Sequence, residues 1–126
     1  MNLPANLKYT KTHEWVDFSD ETTAKIGLTD YAQSELGSLV FVNLPDEGDD
    51  VVAGESFGDV ESVKAVSEVI CPVSGTVSAI NDALLDAPEM INEDPYGAWL
   101  IEVADISDQE SLLDAAAYEA LCKEEA

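Results

Sequence analysis

Between Tyr9 and Ala104 the chain runs in short, apolar-rich stretches that Gly, Pro, Asp and Asn interrupt too often for a long helix to form. That punctuation restricts the fold to short strands joined by tight turns, a small β-sandwich or barrel. The stretches that read as strands are Tyr9 to Phe18, Thr22 to Leu28, Ser38 to Leu44, Glu55 to Val63, Glu68 to Val73, Gly75 to Asn81 and Trp99 to Ala104. Val69, Cys71 and Val73 alternate with Ile70 and Pro72, and Trp99, Ile101 and Val103 with Leu100, Glu102 and Ala104, which is the two-residue period of a strand. Pro72, having no amide hydrogen to donate, belongs at an edge or a bulge. Pro45 to Asp50 reads as a polar turn, and Asp82 to Gly97, with Pro88 and Pro95, as loop with one helical turn after Pro88.

Two helices are expected. Thr29 caps a short one through Tyr31 to Leu36 that stops at Gly37. At the other end, Ser107 and Glu110 have the spacing of a capping box opening a helix from Asp108 to Lys123, with Leu112, Leu113, Ala116, Ala117, Ala120 and Leu121 on the face against the β core. No repeat or low-complexity linker marks a boundary, so residues 1–126 are expected to form a single domain.

Charge narrows the partners. The sequence holds 27 Asp and Glu against 5 Lys and no Arg, a formal net charge of −22. Such a surface repels nucleic acid and anionic lipid; it serves solubility, including in a salty interior, or steers the chain toward basic protein surfaces. Cys71 and Cys122 stand far apart and His13 is the sole histidine, so no metal site is expected and a reducing, cytoplasmic compartment fits. The first residues lack an apolar signal core, and no stretch is long enough to span a membrane.

Lys64 is the residue with an unusual place. It lies between two strand stretches in Glu61-Ser62-Val63-Lys64-Ala65-Val66-Ser67-Glu68, where a hairpin tip would hold its side chain in solvent within reach of a modifying enzyme. On position alone a solvated charge is the simpler reading. The segment from Gly54-Glu55-Ser56-Phe57-Gly58 to Glu61-Ser62-Val63-Lys64-Ala65 resembles, however, the lipoylation segment of glycine cleavage H proteins. Five further segments resemble that family in order: Tyr9 to Val16, Gly27 to Gln33, Val40 to Pro45, Pro72 to Gly75 and Asn92 to Gly97.

The resemblance implies a mainly β fold, a flattened barrel-sandwich hybrid of the lipoyl and biotinyl carrier type with short helices and a C-terminal helix. It also implies lipoate as covalent cofactor on Lys64, and a non-catalytic carrier role. The partners implied are a pyridoxal-phosphate P protein that decarboxylates glycine, a tetrahydrofolate-using T protein, a flavin-dependent L protein and lipoate-attaching enzymes. Glu14, of the His-Glu-Trp segment, is the family's candidate for shielding the carried amine, with Thr12 and Glu68 beside it. Without the family, Glu14 is one acid among many, and His13 and Trp15 read as structural.

One departure accompanies the match. Relatives commonly have one more residue between the Gly after Pro-Tyr and the Trp, so the shorter Gly97-Ala98-Trp99 is expected to alter a cleft wall or a docking contact. Biotinyl carriers usually flank the lysine with Met, and lipoyl domains of 2-oxo acid dehydrogenases more often show Asp before it; here the neighbours are Val63 and Ala65. An H-like protein that relays lipoyl groups to other enzymes fits the same motifs. An enzyme is the poorest fit, for no nucleophile with a paired base is evident.

Overall fold

The computed structural model describes residues 2–125. In chain order its elements are β1 (Lys8–Tyr9), β2 (Glu14–Asp20), β3 (Thr23–Leu28), α1 (Asp30–Leu36), β4 (Leu39–Asn43), β5 (Asp50–Val51), β6 (Ser56–Ser62), β7 (Val66–Ile70), β8 (Val73–Ile80), α2 (Ala83–Asp86), α3 (Met90–Glu93), β9 (Ile101–Gln109) and α4 (Ala115–Glu125). The strands form two antiparallel sheets, one ordered β1-β2-β3-β9-β8-β5 and the other β4-β6-β7. Their apolar faces share one cluster: Ile26, Leu28, Val77 and Val103 from the larger sheet meet Val42, Val60 and Val69 from the smaller. The expected mainly β architecture with short helices and a C-terminal helix is what the chain adopts.

The stretch expected as one strand from Tyr9 to Phe18 is broken at Thr10–His13. There the His13 amide donates to Thr10 O (3.2 Å), with His13 at φ +75°. This turn makes β1 and β2 partners, with Tyr9 opposite Trp15. Pro72 lies outside the strands, between β7 of the small sheet and β8 of the large one. Two further boundaries moved: Asp50 and Val51 of the polar turn pair with Thr76 and Gly75, and two single-turn helices, α2 and α3, occupy the stretch expected to hold one.

The C-terminal helix differs most from expectation. Ser107 caps nothing, because β9 runs on to Gln109 in register with β8: Asp108 lies opposite Ser74 and Gln109 opposite Val73. Glu110 then donates its amide to Pro72 O (2.8 Å). Cross-strand pairing thus claims the capping-box residues, and Leu113 exchanges two backbone hydrogen bonds with Tyr9. The helix opens only at Ala115, where Asp114 Oδ1 accepts from the Ala117 amide (2.8 Å). Its buried face carries Tyr118 and Cys122, with Leu121 half-buried against the same cluster as expected, while Ala116, Ala117 and Ala120 are exposed.

Tyr118 ties this helix to the rest. Its ring stacks on Tyr9 with centroids 4.9 Å apart, while its hydroxyl lies 2.7 Å from both Thr29 Oγ1 and His13 Nδ1. Thr29 is the N-cap of α1, accepting from the Ala32 amide, and Gly37 at φ +82° ends that helix, both as expected. Glycine is required at 27, where the Trp15 ring lies against the backbone and leaves no room for a Cβ.

Candidate functional site

The β6–β7 hairpin closes at Ser62–Ala65. The Ser62 amide donates to Ala65 O (2.8 Å), and Ser62 Oγ accepts from the amides of Ala65 (3.0 Å) and Lys64 (3.3 Å). The serine of the Glu-Ser-Val-Lys-Ala segment is therefore buried and shapes the tip, while Val63, Lys64 and Ala65 are exposed. Among the described residues no carboxylate pairs with the Lys64 ammonium. Its stem passes over the end of α1: a Cβ placed on Gly37 would lie 3.6 Å from Lys64 Cε.

A cavity of about 310 Å³ is lined by Leu28, Tyr31, Ala32 and Leu36 as apolar surface and by Thr12, Glu14, Glu35, Ser67, Glu68 and Glu125 as polar surface, with His13. Leu36 belongs to α1 just before Gly37, and Ser67 and Glu68 follow Lys64 by three and four residues. The cleft is thus bounded by the same two elements that carry and flank the lysine.

Glu14 is 1% exposed, the most deeply buried acid of the wall. Its Oε1 accepts from the hydroxyls of Thr10 (2.7 Å) and Thr12 (2.5 Å), and its Oε2 from the Ile70 amide (3.3 Å). Burial disfavours the charged carboxylate; the Thr12, Thr10 and Ile70 donors favour it. Burial prevails, and the carboxyl titrates at about 7 in place of 4.5. A carboxyl so tuned is poised to ionise fully when a cation enters the cleft. On the far side of Glu14 a second cavity, about 470 Å³, reaches Cys71 and Pro72. Burial pushes the Cys71 thiol up to about 11, so that thiol is an unreactive wall.

The structure brings Glu14, Thr12 and Glu68 to one cleft, Glu68 on its exposed rim. Thr12 bonds the Glu14 carboxyl. His13 also lines the cleft and joins Tyr118 and Glu125, whereas Trp15 packs away from it and donates to Pro95 O (3.0 Å). Gly97, Ala98 and Trp99 line no part of this cleft, and Lys25 Nζ sits 5.0 Å above the Trp99 ring. The Gly97-Ala98-Trp99 loop is therefore no part of this cleft's wall.

Sequence reasoning missed Thr10, the buried hydroxyl that both donates to Glu14 Oε1 and accepts from the Glu14 amide (3.0 Å). The break at Thr10–His13 is what folds residue 10 back onto residue 14, and a strand reading hides it. The α1 contributors, Tyr31, Ala32, Glu35 and Leu36, follow from i, i+1, i+4 and i+5 spacing on one helical face.

A family model described as glycine cleavage H-protein matches residues 7–125. The chain is 63% identical over 99% of its length to the glycine cleavage system H protein of Lachnoclostridium phytofermentans, covering 98% of that protein. It is 53% identical to the probable glycine cleavage system H protein of Haloarcula marismortui, across 93% of this chain and 94% of the other. The crystal structure of a glycine cleavage system H protein from Mycobacterium marinum superposes with a TM-score of 0.88 at 41% identity, covering 94% of this chain and 97% of that one.

Proposed function

The chain belongs to the glycine cleavage H-protein family, and from that premise we propose that it carries lipoate in amide linkage to Lys64 Nζ and shuttles between the enzymes of glycine cleavage. Bound there, lipoate would supply two sulfurs able to hold an aminomethyl group and to carry electrons. The aminomethyl group would travel from the P protein to the T protein and the electrons to the L protein, after a lipoate-attaching enzyme has modified the lysine. The whole chain, 1–126, acts as one carrier domain in the cytoplasm and leaves every catalytic step to its partners.

The observation that carries this reading is the pairing of an exposed lysine, unpaired among the described residues, with a nearby cleft that contains a buried carboxyl. Lys64 fits an amide-linked group because its tip is accessible and its stem runs over the end of α1, whose Leu36 lines the cleft. Leu28, Ala32 and Leu36 offer the arm an apolar seat that excludes water. Glu14 holds the ammonium of a carried aminomethyl group by a charge-assisted hydrogen bond, with Thr10 and Thr12 fixing its orientation. Glu68, at the rim, adds negative potential at the entrance. Tethering makes each encounter with a docked active site effectively intramolecular.

Intact-mass measurement and peptide mapping after incubation with lipoate and a lipoate-attaching enzyme test the assignment. One lipoyl adduct on Lys64 is expected; a protein left unmodified, or lipoate on another lysine, overturns it.

A further inference from the structure

We propose that Phe41, Val63 and Val66 form an apolar docking collar for the enzyme that acylates Lys64, a partner presenting an apolar recess rimmed by Lys or Arg. The proposal rests on the reading of Lys64 as the modified lysine and adds how that lysine is found. In the small sheet, Phe41 of β4, Glu61 of β6 and Val66 of β7 are register partners and so share one face. The intervening row, Val42, Val60 and Ser67, holds the two buried valines, which makes the Phe41 face the outer one. Phe41 is 52% exposed, Val66 65% and Val63, beside the lysine, 80%. Nothing in the fold accounts for large apolar side chains held in water there, and such patches mark protein contacts.

Charge and distance select the partner. The next outer row is Asn43, Asp59 and Glu68, so with Glu61 three carboxylates border the apolar residues, on a chain of net charge −22. A recess edged with basic residues complements that arrangement. Enzymes that receive a long swinging arm are free to dock away from its root. The acylating enzyme has no such freedom: the amide forms between Lys64 Nζ and the carbonyl carbon of an activated lipoyl donor, whose leaving group departs as Nζ loses a proton. Its active site must reach Nζ itself, and the surface it then covers includes the outer face flanking the tip.

The test is steady-state lipoylation of the apo protein by a purified lipoate ligase with lipoate and ATP, for the parent, Phe41→Ser, Val66→Thr and Val63→Ser. Truncating a central apolar contact is expected to lower kcat/KM about tenfold, through KM, with kcat retained. Each variant, driven to full lipoylation with excess ligase, should be reduced by the L protein at the parental rate. Val63→Ser lies at an exposed bend with no packing role, so its result stands apart from folding. Equal kcat/KM in all four proteins overturns the collar, as does an equal loss in both assays, which would make the patch a general surface. Failure of the parent to accept lipoate on Lys64 overturns the functional reading instead.

Discussion

The hairpin tip and the cleft wall lie close together and obey opposite physical rules. At the tip, Lys64 is exposed and unpaired among the described residues, and its loop is shaped by one buried serine. At the wall, Glu14 is buried beneath two threonine hydroxyls and a backbone amide, and its carboxyl titrates near neutrality. A place of attachment must be reachable, so it makes few contacts. A place of protection must exclude water, so it accepts the cost of burying a carboxyl and offsets part of it with donors. A change confined to one region should leave the behaviour of the other intact.

Lys64→Arg gives the largest effect. Arginine keeps the charge and the exposure but offers no amine for an amide bond, so lipoylation and glycine-dependent loading should fall to background while the melting temperature stays within about 1 °C of the parent. Residual lipoyl mass in this variant would move the working residue elsewhere.

Glu14→Gln sharpens the contrast from the other side, through pH. The folded-state value, about 7, lies above the ordinary 4.5, so the stability associated with the neutral carboxyl is fully present below about 4.5 and is lost as pH rises toward about 7. Glutamine stays neutral throughout. Its stability relative to the parent should therefore improve by about 3 kcal/mol across that interval and level off above it. Urea melts at pH 4.5, 6 and 8 measure the difference; a constant offset would mean that the parent carboxyl ionises normally.

Glu14→Ala concerns the loaded arm. A charge-assisted hydrogen bond contributes about 1.5–3 kcal/mol, so loss of the carried aminomethyl group to water, with no T protein present, should quicken roughly ten- to a hundredfold. Lipoylation should proceed at the parental rate, because the hairpin is untouched. Equal decay of the loaded parent and the loaded variant would reduce Glu14 to a buried wall residue.

The two regions were also unequally legible. The tip depends on a local signal, two strand stretches around Glu61 to Glu68, and chain order alone places Lys64 at their junction. The cleft gathers residues from the β1–β2 turn, β2, β3, α1, β7 and α4, contacts set by the fold as a whole. Glu14, Thr12 and Glu68 were reached by family resemblance; Thr10, Glu35 and Glu125 were not. The capping-box reading failed for a related reason. Ser107 and Glu110 suit a helix start locally, but β8 offered Ser74 and Val73 as strand partners, and long-range pairing overrode local preference. Tyr118 and Cys122, one i, i+4 step apart, form the buried face of that helix.

Ser62→Ala should have the smallest effect and asks how lightly the tip is held. The hydroxyl accepts from the Ala65 and Lys64 amides and donates to Ala65 O at 3.3 Å, whereas the Ser62 amide bond to Ala65 O survives the substitution. A neutral hydrogen bond of this kind contributes about 1 kcal/mol, which for a chain of this size lowers the melting temperature by about 4 °C. Hydrogen exchange at the Lys64 and Ala65 amides should quicken severalfold, while the Ile70 amide, bonded to Glu14 in the cleft, keeps its protection. Lipoylation should continue with a modestly higher KM, since the lysine remains exposed on a looser turn. If exchange quickens at Ile70 as much as at Ala65, tip and wall open together as one cooperative unit, and the hairpin cannot be adjusted independently of the cleft that shelters its cargo.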